Sequence, residues 1–250
     1  MFVDISQLLL TTAFGWTILA TVLAGVVRGF AGFGAAMMFI PIVSVAYEPK
    51  FAVAALFMID FITPLPLIPK ALKEFELKEV LPISIGATLT VPLGVYILKY
   101  SDPILLRYII SISILILIVL LASGWRYKGK VNNAGLFGLG TISGVAGGIA
   151  SLYGPPLILF WMSRQSKAVT IRANIIIFFA YIIAISGISL WFSGLLTMQI
   201  FKTVVLLLPL YALAIWIGAK FFRLSSESFF RKVAYALILL VAISSLPVWQ

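Results

Sequence analysis

Residues 140–156 read Gly140-Thr141-Ile142-Ser143-Gly144-Val145-Ala146-Gly147-Gly148-Ile149-Ala150-Ser151-Leu152-Tyr153-Gly154-Pro155-Pro156. They lie inside an apolar stretch, 134–163, that fits neither one helix nor two. As a single helix the stretch would measure about 45 Å, at a rise of about 1.5 Å per residue. Two full crossings of a hydrocarbon core about 30 Å thick would need about 60 Å. One straight crossing would run through Gly144–Gly148 and then Gly154-Pro155-Pro156, which is a poor helix interior. A re-entrant hairpin of two half-helices satisfies both the length and the composition.

The rest of the chain supports a membrane setting. Of its 250 residues 62% are hydrophobic and only 10% are charged, against about 25% charged in an ordinary soluble domain. Its mean hydropathy is +1.16. A soluble fold cannot hide that much apolar surface. Further apolar stretches cover 8–47, 51–69, 80–98, 103–123, 173–192, 198–219 and 233–248. Most have the length of a bilayer span. Only 8–47 shares with 134–163 both excess length and a central glycine cluster. Residues 1–7 carry no basic group, so no cleavable signal peptide is expected.

The positive charge sets the topology. If 134–163 enters and leaves on one side, the segments 70–79, 125–133, 164–172 and 220–232 share a face. They hold 13 of the 18 basic residues. The other face then carries Lys50, Lys99, Arg107 and Lys202. A single crossing would flip the last two basic loops and erase the bias. The positive-inside rule therefore favours the hairpin, with both termini outside.

The two unusual stretches also match each other. A shift of 115 residues places Gly25, Gly29, Ala31, Gly32, Ala35 and Pro41 on Gly140, Gly144, Ala146, Gly147, Ala150 and Pro156 without a gap. Three plain spans follow each copy. The expected architecture is all-α and polytopic, with two inverted repeats, each a re-entrant half-helix hairpin plus three transmembrane helices. Residues 1–124 form the first repeat and 134–250 the second, joined by a cytoplasmic linker at 125–133. Glycines at such spacing also serve helix packing. Broken helices, by contrast, leave backbone N–H groups free near the midplane, where an anion is the natural guest.

Arg28-Gly29-Phe30-Ala31-Gly32-Phe33-Gly34, followed by Pro41, resembles the first repeat of the sulfite exporter TauE/SafE family. Gly140–Gly148, followed by Gly154-Pro155-Pro156, resembles the second. The resemblance spans nearly the whole chain in layout, and its residue-level match is confined to these two loops. It implies a carrier of small sulfur-containing anions, such as sulfite, sulfoacetate or another organosulfonate, in the bacterial cytoplasmic membrane. The second loop departs from a plain glycine-rich pattern at Ile149-Ala150-Ser151-Leu152-Tyr153, which leaves substrate choice open.

Arg28 is the basic residue left over from the topology count. At the centre of a span it costs about 2.5–3.5 kcal/mol. Its planar fork suits the oxygens of a sulfonate; alternatively it caps broken-helix carbonyls or pairs with Asp60. Asp60 is either a protonatable coupling group, the counter-ion of Arg28, or a static buried partner. Thr63, Pro64, Pro66 and Pro69 make the end of its span irregular. Ser151 and Tyr153 offer hydroxyls to an anion or to a neighbouring helix. Asn174 takes the place in the second repeat that Asp60 holds in the first. The substrate-binding set is thus Arg28, Gly29, Gly32, Phe33, Gly34, Gly147, Gly148, Ser151 and Tyr153, with Asp60 and Asn174 as coupling or counter-ion residues. The alternating Lys and Glu of 70–79 read as a solvated loop.

The chain has no cysteine and no histidine. That removes disulfides, thiolate chemistry, the usual zinc and haem ligands and a histidine base. No carboxylate cluster lies near the glycine loops, so an enzyme is not expected, nor a metal or organic cofactor. The expected partners are a small anionic solute and the bilayer, not nucleic acid. A homodimer is compatible with the sequence. The expected mechanism is alternating access, with solute held where the hairpin tips meet. The rival readings are a carrier or channel for another small anion, such as sulfate or a carboxylate, and an assembly factor.

Overall fold

The computed structural model describes residues 11–31, 33–63, 65–123, 132–163, 166–224 and 227–249. Gly32, Pro64, Arg164, residues 1–10 and most of the linker, 124–131, lie outside the described residues. Everything described is helical or connecting. The helices are α1 (Thr12–Ala31), α2 (Ala35–Ala46), α3 (Pro49–Asp60), α4 (Ile68–Ala71), α5 (Leu77–Tyr100), α6 (Pro103–Ala122), α7 (Asn133–Ala150), α8 (Gly154–Ser163), α9 (Ala168–Phe192), α10 (Met198–Leu224) and α11 (Glu227–Ser244). Short 3-10 turns occupy Leu65–Leu67 and Pro247–Trp249. Among the described residues, seven helical segments are long and apolar enough to cross a membrane.

Local sequence explains the boundaries. Proline opens α3 and α6, where its missing N–H costs nothing. Asp102 caps α6 by accepting from the N–H groups of Ile104 and Leu105, at 2.8 and 3.1 Å. Asn132 caps α7 through the Gly135 N–H, at 2.9 Å. Gly194, at φ 71°, stops α9 in a left-handed turn. The stretch 51–69 lies within one of these crossing segments, Pro49–Ala71, but is not one unbroken helix: α3 ends at Asp60, and the chain continues as turns, a 3-10 segment and α4. The prolines at 64, 66 and 69 predict that irregular end.

Both over-long stretches break, though not into equal halves. The first gives α1, 20 residues, and α2, 12 residues. The second gives α7, 18 residues, and α8, 10 residues. The glycine cluster 144–148 stays helical, and the second break falls after it, at Ser151-Leu152-Tyr153. The reason lies in what α7 touches.

The chain folds into two compact units, neither of which follows the sequence halves. One comprises 1–59, 102–118 and 198–250; the other comprises 60–101 and 119–197. In the first, α1 packs on α10 and α2, and α11 packs on α2. A Cβ on Gly25 would lie 2.6 Å from Ala214 Cβ, and one on Gly29 would overlap the Ile215 carbonyl. Gly218 of α10 meets the Val26 carbonyl in return. In the second unit α5 packs along α7, and α9 packs on α5, α4 and α8. There Gly140 sits on Ile83, Gly144 on Ala87 and Thr90, and Gly86 on the Phe137 carbonyl. Gly94 and Gly148 touch each other: a Cβ on either would come within 2.8 Å of the other's Cα.

So the glycines related by the 115-residue shift share one task. Gly25 and Gly29 seat α1 on α10; Gly140 and Gly144 seat α7 on α5. In each case the first limb of an over-long stretch packs against a span from the other half of the sequence. A helix stitched to its neighbour along its length has no cause to break at its glycines. Gly29→Ala and Gly140→Ala should each destabilise the protein by about 1–3 kcal/mol, the cost of overpacking. Nothing lies within 4 Å of a Cβ on Gly15 or Gly138, so alanine there should leave the thermal midpoint in detergent unchanged or higher. Equal midpoints for all four variants would refute the packing role.

Candidate functional site

The two breaks differ in chemistry, and each belongs to its own compact unit. In the first, Arg28 occupies the last turn of α1 and is only 9% exposed. It is engaged within the protein rather than bare. Phe33 is half-buried, and Gly34, at φ 92°, reverses the chain so closely that a Cβ there would meet Val27 at 3.0 Å. Only glycine adopts this backbone freely. Gly34 also begins α2 and has no side chain to cap it. The Met37 N–H donates to the Gly34 carbonyl at 3.1 Å. Helix geometry leaves the Ala35 and Ala36 N–H groups without an intrahelical acceptor. Ala35 to Ile40 are all buried. A buried arginine in the last turn of α1 and a buried start of α2 without a side-chain cap thus precede and follow one tight turn. Gly29, by contrast, is spent on Ile215.

The second break carries hydroxyls. Ser151 ends α7 in the left-handed region at φ 52°, the one non-glycine to do so among the described residues. Its N–H donates to the Gly147 carbonyl at 2.6 Å. The chain then folds back along α7, and the Tyr153 ring fills the space that a Gly147 Cβ would take. Ser143 Oγ donates to the Tyr153 carbonyl at 2.6 Å. Tyr153 Oη and Ser186 Oγ are 2.6 Å apart, and Ser186 Oγ donates to the Ile182 carbonyl at 2.6 Å. A serine has one proton to give. Tyr153 is therefore the donor in its pair, and its proton is committed. Gly148 is closed against Val91 and Gly94. The N-terminus of α8 differs from that of α2, because Pro155 and Pro156 supply no N–H.

Asp60 is half-buried at the end of α3, and it too is engaged within the protein. Asn174, fully buried on α9, has a defined part in the second unit. Its Oδ1 accepts from the Glu76 N–H at 2.7 Å, capping α5 from outside the helix. Its Nδ2 donates to Glu79 Oε2 at 3.4 Å, and Trp161 Nε1 donates to the same oxygen at 3.1 Å. Glu79 is 5% exposed. This corrects the reading of 70–79 as a uniformly solvated loop. Lys73, Glu74, Glu76 and Lys78 are exposed, but Glu79 turns inward. The signal was its spacing: Glu79 shares the buried face of α5 with Ile83, Ala87, Val91, Gly94 and Leu98. A carboxylate in the first turn also suits the helix dipole.

The fold is that of an all-α polytopic membrane protein, with seven segments among the described residues long and apolar enough to cross a bilayer. The profile of the family described as Sulfite exporter TauE/SafE matches residues 17–245. The chain belongs to that family. It is a secondary transporter, not an enzyme; it moves a small sulfur-containing anion and resides as a multi-pass protein in the bacterial inner membrane. No curated protein and no solved structure gives a match.

Glu79→Ala would leave the Trp161 Nε1–H and the Asn174 amide without their buried acceptor. The expected loss is about 1–3 kcal/mol of stability. Glu79→Gln keeps an acceptor oxygen and should lose less. Thermal unfolding of the two variants in detergent measures the difference; identical midpoints would count against the buried triad.

Proposed function

We propose that the transported anion is recognised at the first break, by Arg28 and by the opening N–H groups of α2. The observation that carries this reading is the burial of Arg28 in the last turn of α1, six residues before a helix start whose cap is a glycine. A sulfite or sulfonate group offers several oxygens to such donors, and the guanidinium fork binds two at once. Phe33 and Gly34 shape the turn so that backbone can approach the ligand; Gly32, of the same proposed set, lies outside the described residues. Within its own unit the second break offers the Ser151 hydroxyl and, once the bond to Ser186 is exchanged, that of Tyr153. Gly147 and Gly148 act there by holding the wall in place. Asp60 and Asn174 are the coupling or counter-ion residues.

The two over-long stretches act as re-entrant hairpins in halves of opposite orientation. This is supported by the fold-back at each break, where Gly34 reaches Val27 and Tyr153 reaches Ser143 and Gly147. The 13-to-4 split of basic residues supports it too. Transport then proceeds by alternating access, with the site open to one side at a time. A cysteine at Ser166 should accordingly be labelled by an impermeant thiol reagent only from the cytoplasmic face; external labelling would overturn the hairpin topology.

Arg28→Ala, assayed in proteoliposomes with sulfite, sulfoacetate, sulfate and acetate, tests the site. Losing one charge-assisted contact worth about 1.5–3 kcal/mol should weaken the preferred anion about tenfold to a hundredfold. Arg28→Lys should recover part of that loss. Unchanged transport in Arg28→Ala would remove the site. Saturable counterflow supports a carrier, whereas single-channel currents would replace it with an anion channel.

A further inference from the structure

The C-terminal ends of α5 and α9 enclose an open cleft of about 380 Å³ within the second compact unit. Its lining includes no residue of either break. Pro92, Ile188 and Phe192 give it apolar walls, and Tyr96, Lys99 and Tyr100 give it donors. Two serines also line it, but their protons are spent: Ser189 Oγ donates to the Ile185 carbonyl and Ser193 Oγ to the Ser189 carbonyl, at 2.9 and 2.6 Å.

The remaining donors are available. Lys99 Nζ lies 5.3 Å over the Tyr100 ring, and among the described residues no carboxylate pairs with it. The acidic residue nearest in sequence, Asp102, is occupied as the cap of α6. The Tyr96 and Tyr100 rings lie 4.6 Å apart, tilted at 46°, and the residues are 61% and 65% exposed. Trp191 and Phe192, at the end of α9, are 71% and 84% exposed. Exposed aromatics at the end of a span mark the membrane–water interface. The cleft therefore lies at headgroup depth, open to the bilayer, with one uncompensated cation and two phenolic hydroxyls over an apolar wall.

We propose that this cleft holds one bilayer phospholipid, with its phosphodiester on Lys99 and the hydroxyls of Tyr96 and Tyr100. Its acyl chain lies along Pro92, Ile188 and Phe192. A small sulfur anion would satisfy the cation but would leave the apolar wall unused; an amphiphile uses both. Lysine suits this ligand, because a mobile point charge follows a phosphate that bends with the membrane.

The test is independent of transport. The full chain is released from nanodiscs containing phosphatidylethanolamine, phosphatidylglycerol and diacylglycerol, and retained lipid is counted by native mass spectrometry. One phospholipid should stay bound, and diacylglycerol should not. Lys99→Ala should lower phospholipid retention about threefold, the scale of one exposed ion pair, and Lys99→Arg should keep it. Tyr96→Phe with Tyr100→Phe should give a smaller loss. These side chains face outward, so an unchanged thermal midpoint separates lost binding from lost folding. Equal retention in Lys99→Ala, equal retention of diacylglycerol, or release of the lipid by millimolar sulfite would each overturn the assignment, the last by making the cleft a solute site.

Discussion

Backbone-to-backbone contact between helices is the constraint on which this structure rests. In a bilayer the hydrophobic effect does not press one helix against another, because lipid tails are as apolar as leucine. Helices hold together where they approach closely enough for dispersion forces to add up. Here that approach is made by glycines. Gly140, Gly144 and Gly148 bring α7 down on the backbone of α5, and Gly86 and Gly94 open α5 to receive it. In the other unit Gly25, Gly29 and Gly218 do the same for α1 and α10. Polar groups reinforce the seam: Thr90 Oγ1 reaches across from α5 to the Thr141 carbonyl at 3.0 Å. With these seams fixed, the breaks have only one place to fall, beyond the last seated glycine.

That constraint explains what was legible in the sequence. Length against bilayer thickness identified the two stretches that break, and the 115-residue shift matched them to each other. The run of prolines after Asp60 marked the end of that span as irregular, though not that α3 itself stops at Asp60. What the sequence left ambiguous was the use of each glycine, since packing and helix breaking draw on the same residue. Spacing of four places glycines on one helix face in either case. Only the partner surface, Ile83 and Ala87 for one pair and Ala214 and Ile215 for the other, decides between them. Glu79 was hidden for another reason. It sits among exposed charges, and its burial depends on Trp161 and Asn174, which are 82 and 95 residues away.

The two breaks also show how a repeat can diverge. Both begin from the same glycine and alanine pattern, and both reverse the chain with a residue at positive φ. The first keeps glycine, arginine and a full set of helix-start N–H groups. The second substitutes serine at the turn and two prolines at the helix start, so its backbone offers fewer donors. Backbone donors at the helix start are thereby kept in one copy, while the other is filled by an aromatic ring and bound hydroxyls.

The hydroxyl chain at the second break has a consequence for energy coupling. Tyr153 gives its proton to Ser186, and Ser186 gives its own to a backbone carbonyl; Ser143 likewise ends on a carbonyl. A proton wire must end on a group that can accept a proton and pass it onward, and a peptide carbonyl does not. The Tyr153 array is a dead end for proton conduction.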